Sequence, residues 1–128
     1  MESTTQTTSL TRASRITVGA ITVFAVVVAA QIAGGADNFP PIPPAIVLSV
    51  VVVGLMIWRP ASVWTAALGA LWPTSLVVGA AFNTDVYLDW ISGREGLYLK
   101  VAAHLHVLAL VVAMVAGVIA LRQVARSR

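Results

Sequence analysis

Four long apolar blocks, separated and flanked by segments that hold every charged residue except Lys100, decide what this chain can be. The blocks run over residues 16–33 (ITVGAITVFAVVVAAQIA), 42–58 (IPPAIVLSVVVVGLMIW), 62–82 (SVWTAALGALWPTSLVVGAAF) and 97–121. None shows the period-two alternation of a β-barrel strand. At about 1.5 Å per residue, helices of these lengths would be roughly 25–37 Å long, against a hydrocarbon core of about 30 Å. The expectation is an all-α integral membrane protein, a four-helix bundle with the lipid bilayer as its solvent. The balance of 59% hydrophobic to 10% charged residues agrees, because a soluble domain carries more charge than that.

Charge sets the orientation. Arg12 and Arg15 precede the first block, Arg59 separates the second from the third, and Arg122, Arg126 and Arg128 close the chain. Four crossings put all of these on one side. The other side holds Arg94 and Lys100 among Asp37, Asp85, Asp89 and Glu95. The positive-inside rule then places both termini in the cytoplasm and the chain in the cell (plasma) membrane as a multi-pass protein. The first block reads as a span rather than a cleaved signal peptide, because it outruns the usual apolar core and has no clean small-x-small site. Residues 1–15 are expected to be a disordered cytoplasmic tail, 16–122 the membrane domain, and 123–128 a basic cytoplasmic tail.

The breakers refine this outline. In GGADNFPPIPP, Pro43 and Pro44 suit the first turn of the second helix, preceded by a stiff polyproline-type segment. WRPAS, residues 58–62, leaves almost no loop between the second and third helices, so these form a tight hairpin. Pro73 sits mid-helix and should kink it, with Thr74 and Ser75 covering freed backbone groups. In NTDVYLDWISGREG, Thr84 offers an N-cap and Gly93 a stop. This predicts a short interfacial helix with Tyr87, Trp90 and Ile91 at headgroup level and Asp85 and Asp89 in water. Two carboxylates are too few for a calcium site.

The fourth block carries a seam of small residues: Ala102, Ala109, Ala113, Ala116 and Ala120, with His106 in line. Membrane helices associate through such residues, so the seam is expected to pack against Ser62, Ala66, Gly69 and Pro73 of the third block. A weaker stripe, Thr22, Ala25 and Ala29, is expected to serve in the first. His106 therefore points inward, where an unpaired ring is costly, and Gln31 and Ser49 are its preferred partners. His104 is about 200° away around the helix, so the pair cannot share a metal ion on one unbroken helix. It belongs at the outer rim with Lys100, Asp85 and Asp89. The candidate ligand-binding residues are accordingly His106 and Gln31 inside, and His104, Asp85, Asp89 and Lys100 at the rim.

Function classes narrow by elimination. The chain has no cysteine, hence no thiolate metal site and no thiol redox chemistry. Its cations form no basic face for nucleic acid. No paired intramembrane carboxylates and no nucleophile-base set appear, so it reads as a non-enzyme that needs no cofactor and no metal. The first block has no acidic residue, unlike small multidrug resistance transporters, whose first helix carries an embedded glutamate. What remains is an accessory or scaffold bundle meeting a larger membrane partner. The alternatives are a homo-oligomeric small-solute transporter or channel and, more remotely, a haem held between two copies of His106.

Overall fold

The computed structural model describes residues 10–36 and 43–127, and among these every regular element is α-helical. Five helices follow in order: α1 (Arg12–Ala33), α2 (Pro44–Trp58), α3 (Val63–Phe82), α4 (Thr84–Ile91) and α5 (Leu97–Arg126). Helices α1, α3 and α5 are each long and apolar enough to cross a membrane; α2 is equally apolar but has only 15 residues.

The ends follow from local chemistry. Thr11 accepts a hydrogen bond from the Ser14 amide, so α1 begins at Arg12, four residues before the first apolar block. At its far end Gly35 adopts φ +100°, which lets the Ala36 amide reach the Gln31 carbonyl. Pro44 opens α2, where its missing N–H is no loss. The polyproline-type segment expected just before it lies outside the described residues, as do residues 1–9 of the N-terminal tail. Ser62 caps α3, and Thr65 Oγ1 donates to the Arg59 carbonyl at 2.7 Å, which tightens the turn between α2 and α3. α5 runs helical to Arg126, through most of the segment expected to be a tail.

Three clusters of buried side chains give the directions. Ile21 of α1 meets Val52 and Met56 of α2 and Ala113 of α5, with Trp72 of α3 alongside. One turn further along α1, Phe24 and Val28 meet Ala109 and Leu110, flanked by Ala45, Ile46, Leu76 and Val77. Beyond them Ala36, Trp90, Leu99 and Ala103 form the third. As numbering rises along α1 and α3 it falls along α2 and α5, so neighbours run antiparallel. The start of α1, the α2–α3 turn and the end of α5 therefore share one end of the molecule, and α4 lies at the other.

The alanine seam of α5 is buried as its spacing predicts, and on α3 the expected Ala66, Gly69 and Pro73 are buried together with Ala70, whereas Ser62 is half-buried at the helix cap. Gly117 marks the closest approach. A Cβ there would stand 2.5 Å from the Gly69 carbonyl oxygen and 3.0 Å from the Ala70 Cα. That carbonyl is the one Pro73 leaves without its helical partner, so the proline frees an oxygen at the point where two backbones nearly touch. Thr74 Oγ1 and Ser75 Oγ return hydrogen bonds to the Ala70 and Trp72 carbonyls.

The face of α1 differs from expectation. Its buried side chains include Ile21, Phe24, Val27, Val28 and Gln31, with Ala13, Ser14, Thr17 and Ala20 toward its start, whereas Thr22 and Ala29 are exposed and Ala25 is half-buried. The reason is complementarity: an alanine face on α5 needs large side chains opposite to fill the space. The small stripe turns instead toward α2, where it lines an open groove of about 510 Å³ with Ile46, Val50 and Gly54.

Candidate functional site

The polar side chains that meet inside the α4 end come from three helices. His106 is 2% exposed and Gln31 fully buried. His106 Nδ1 lies 2.9 Å from Gln31 Oε1, and Nε2 lies 2.9 Å from the Tyr87 hydroxyl. A carbonyl oxygen only accepts, so the ring proton sits on Nδ1 and is donated to Gln31. Nε2 is then an acceptor, and the Tyr87 hydroxyl donates to it. Burial raises the Tyr87 phenol above its ordinary value of 10.0, which keeps that donor proton in place.

Aromatic rings enclose the imidazole. Phe24 and Tyr87 meet it edge-on, with centroids 4.9 and 5.2 Å away, and Trp90 lies tilted at 6.2 Å. Each ring has a structural origin. Phe24 belongs to the large-residue face of α1. Tyr87 and Trp90 sit three residues apart on α4, which turns their common side to the helices beneath. Trp90 is 4% exposed, so it is packed into the core rather than lying at its rim. The start of α4 also departs from expectation. Thr84 is its first residue rather than its cap, with its hydroxyl donated back to the Ala81 carbonyl. Gly93, at φ +84°, ends the helix as its sequence position suggests.

One buried side-chain atom among the described residues has no hydrogen-bond partner, and it belongs to this cluster: Gln31 Nε2. With Oε1 occupied by His106, the amide leaves both N–H groups unspent.

Of the six residues picked out from sequence, the structure joins two. His106 and Gln31 are bonded to one another. His104 is exposed on the opposite side of α5, and its Nδ1 is 2.7 Å from the Lys100 carbonyl one turn back. The Lys100 side chain is exposed. Asp89 pairs with Arg94 at 3.0 Å in the open, which contributes under about 1 kcal/mol. Asp85 is exposed and joins no cluster, and no group of three metal-ligating side chains occurs among the described residues. Ser49, the other partner expected for His106, instead accepts a 2.8 Å hydrogen bond from the Trp72 indole and ties α2 to α3.

Sequence reasoning missed Tyr87 as the second partner of His106. The available signal was its place one turn from Trp90 on an amphipathic helix, which puts the two rings on one face. Both ring nitrogens of His106 are engaged within the chain, so iron ligation by this histidine would first have to break one of these bonds. No family model, curated protein or solved structure matches this chain.

Proposed function

We propose that this chain is a four-span protein of the cell membrane, with both ends cytoplasmic, which serves a membrane complex as an accessory helix bundle and catalyses no reaction itself. Three helices have the length and apolar character of spans. The fourth, α2, is about 22 Å long and makes up the difference through flanking side chains and local thinning of the bilayer. Arg59 lies over the Trp58 ring at 4.8 Å, an amphipathic pairing suited to the headgroup region. Antiparallel packing gathers Arg12, Arg15, Arg59, Arg122 and Arg126 at one end, which supports a cytoplasmic assignment for that end.

The observation that carries the accessory reading is the way interior polar groups are spent, with Gln31 Nε2 the one buried side-chain atom left over among the described residues. His106 is spent on Gln31 and Tyr87, Ser49 on Trp72, and Thr17, Thr65 and Thr74 on backbone carbonyls. A path for a solute through the interior would need such groups free along its length. The outer faces offer mainly apolar contact, and α2 presents Val47, Val50, Val51 and Ile57 to a lipid or a partner helix. The test is the mass and composition of the complex extracted from its native membrane in mild detergent. A stoichiometric larger partner is the expected result. A homo-oligomer of this chain alone would replace the reading with a small-solute transporter or channel.

A further inference from the structure

The amide of Gln31 is a fully buried donor without an acceptor, which folded proteins seldom tolerate. Beside it runs a second groove, between α1 and α5, of about 510 Å³ and almost wholly apolar. Its walls include Val27 and Ala102, which stand one helical turn from Gln31 and His106 respectively. Tyr98 also lines it, with its ring packed against Gly34 and its hydroxyl donated to the Ala30 carbonyl. Those two contacts bracket Gln31 along α1, and Tyr98 is itself 57% exposed. Gln31 itself does not line the groove, and Tyr98 stands against the turn of α1 that carries it.

From this we infer a lipid site: one phospholipid acyl chain lies in the α1–α5 groove, and its ester carbonyl accepts a hydrogen bond from Gln31 Nε2. The inference rests on the membrane reading above. Depth selects the ester. Gln31 is two residues from the end of α1, about 3 Å along its axis, and a helix of 22 residues nearly matches the hydrocarbon thickness. The amide thus lies at the junction of chains and headgroups, where ester carbonyls lie. The apolar walls suit a chain, and the donor without an acceptor suits a group that only accepts. Entry requires Tyr98 to release the Ala30 carbonyl, so the tyrosine is the gate.

The experiment compares phosphatidylcholines with identical chains joined by ester or by ether, since the ether lacks the carbonyl. The full chain is first floated with vesicles, then exchanged into mild detergent with an equimolar mixture, and its bound lipid is counted by native mass spectrometry. Wild type is expected to retain the diester roughly two- to tenfold over the diether, the factor supplied by one neutral hydrogen bond. Gln31→Leu should retain the two equally. Leu105→Trp, which fills the groove and leaves both Gln31 and His106 in the chain, should lower retention of both and serves if Gln31→Leu does not fold. Equal retention by wild type would overturn the site, as would a preference surviving in Gln31→Leu. A prenylated quinone in the organic extract, without an ester preference, would overturn the ester in favour of a quinone carbonyl. Failure to float with vesicles would overturn the membrane reading itself.

Discussion

Helices α2 and α5 invert the usual relation between hydrophobicity and burial. α2 carries no charged residue and is two-thirds Val, Ile, Leu and Met, yet it buries only Ser49, Val52 and Met56. α5 contains two histidines, a lysine, a glutamine and two arginines, yet an unbroken inner face from Leu99 to Val124 is buried. In water the more apolar helix would take the centre. Against lipid there is no such drive, because a valine is as well solvated by acyl chains as by protein. Close approach decides instead, and α5 has the small residues for it. The interior of this molecule is the place where backbones can meet, not the place where side chains are most apolar.

That contrast can be broken first at Gly117. Its Cβ position is filled by the backbone of α3, which cannot move aside as a side chain can. Gly117→Val should therefore cost about 3 kcal/mol or more, or prevent folding, in a detergent unfolding titration. Val51→Ala on the exposed face of α2 should stay within about 0.5 kcal/mol. Comparable losses at the two positions would show that α2 is as deeply engaged as α5. Gly69→Ala sharpens the point, because its Cβ would meet the flexible end of Met56 rather than backbone, and should cost well under Gly117→Val.

The next effect in size concerns the histidines, two residues apart and opposite in surroundings. His106→Leu should cost about 1–3 kcal/mol, since it strands the Gln31 oxygen and the Tyr87 hydroxyl. His104→Leu should change stability by less than about 0.5 kcal/mol. The double variant His106→Leu with Gln31→Leu should lose clearly less than the sum of the two singles, because it removes both partners together. Additive losses would mean that the two side chains are not coupled.

The smallest effect is alkaline. Burial holds the Tyr87 phenol above its ordinary value of 10.0, so the folded chain keeps that proton more tightly than the unfolded one. The resulting stability is complete below pH 10 and is lost as pH rises above it, through the raised value. Unfolding titrations near neutrality and above pH 10 should show this loss in wild type and a weaker one in Tyr87→Phe. Equal alkaline loss in the two proteins would assign it elsewhere.

Much of the interior was legible without coordinates, because it rests on spacing along single helices. Residues three and four apart share a face whatever surrounds them. The alanine seam, the inward turn of His106 and the outward turn of His104 follow from that alone. The face of α1 was not legible, because small residues and large residues both make good interfaces. The choice between Thr22, Ala25 and Ala29 on one side and Ile21, Phe24 and Val28 on the other depended on what α5 presented. Ser49 escaped for a related reason: α2 packs against α1 and α3 and not against α5, so its hydroxyl meets the Trp72 indole and not His106.

The sequence by itself thus determined the apolar helices, their breaks, the grouping of the arginines and the small-residue face around which the rest packs. These are properties of one strand of chain, set by composition, by periodicity and by proline and glycine. Only the tertiary structure decided that Tyr87 completes the hydrogen bonding of His106, that Gly69 and Gly117 mark the tightest crossing, and that the Gln31 amide is left with a donor to give. Those are pairings between segments far apart in sequence. They depend on how each helix is rotated against its neighbours, which no single helix specifies.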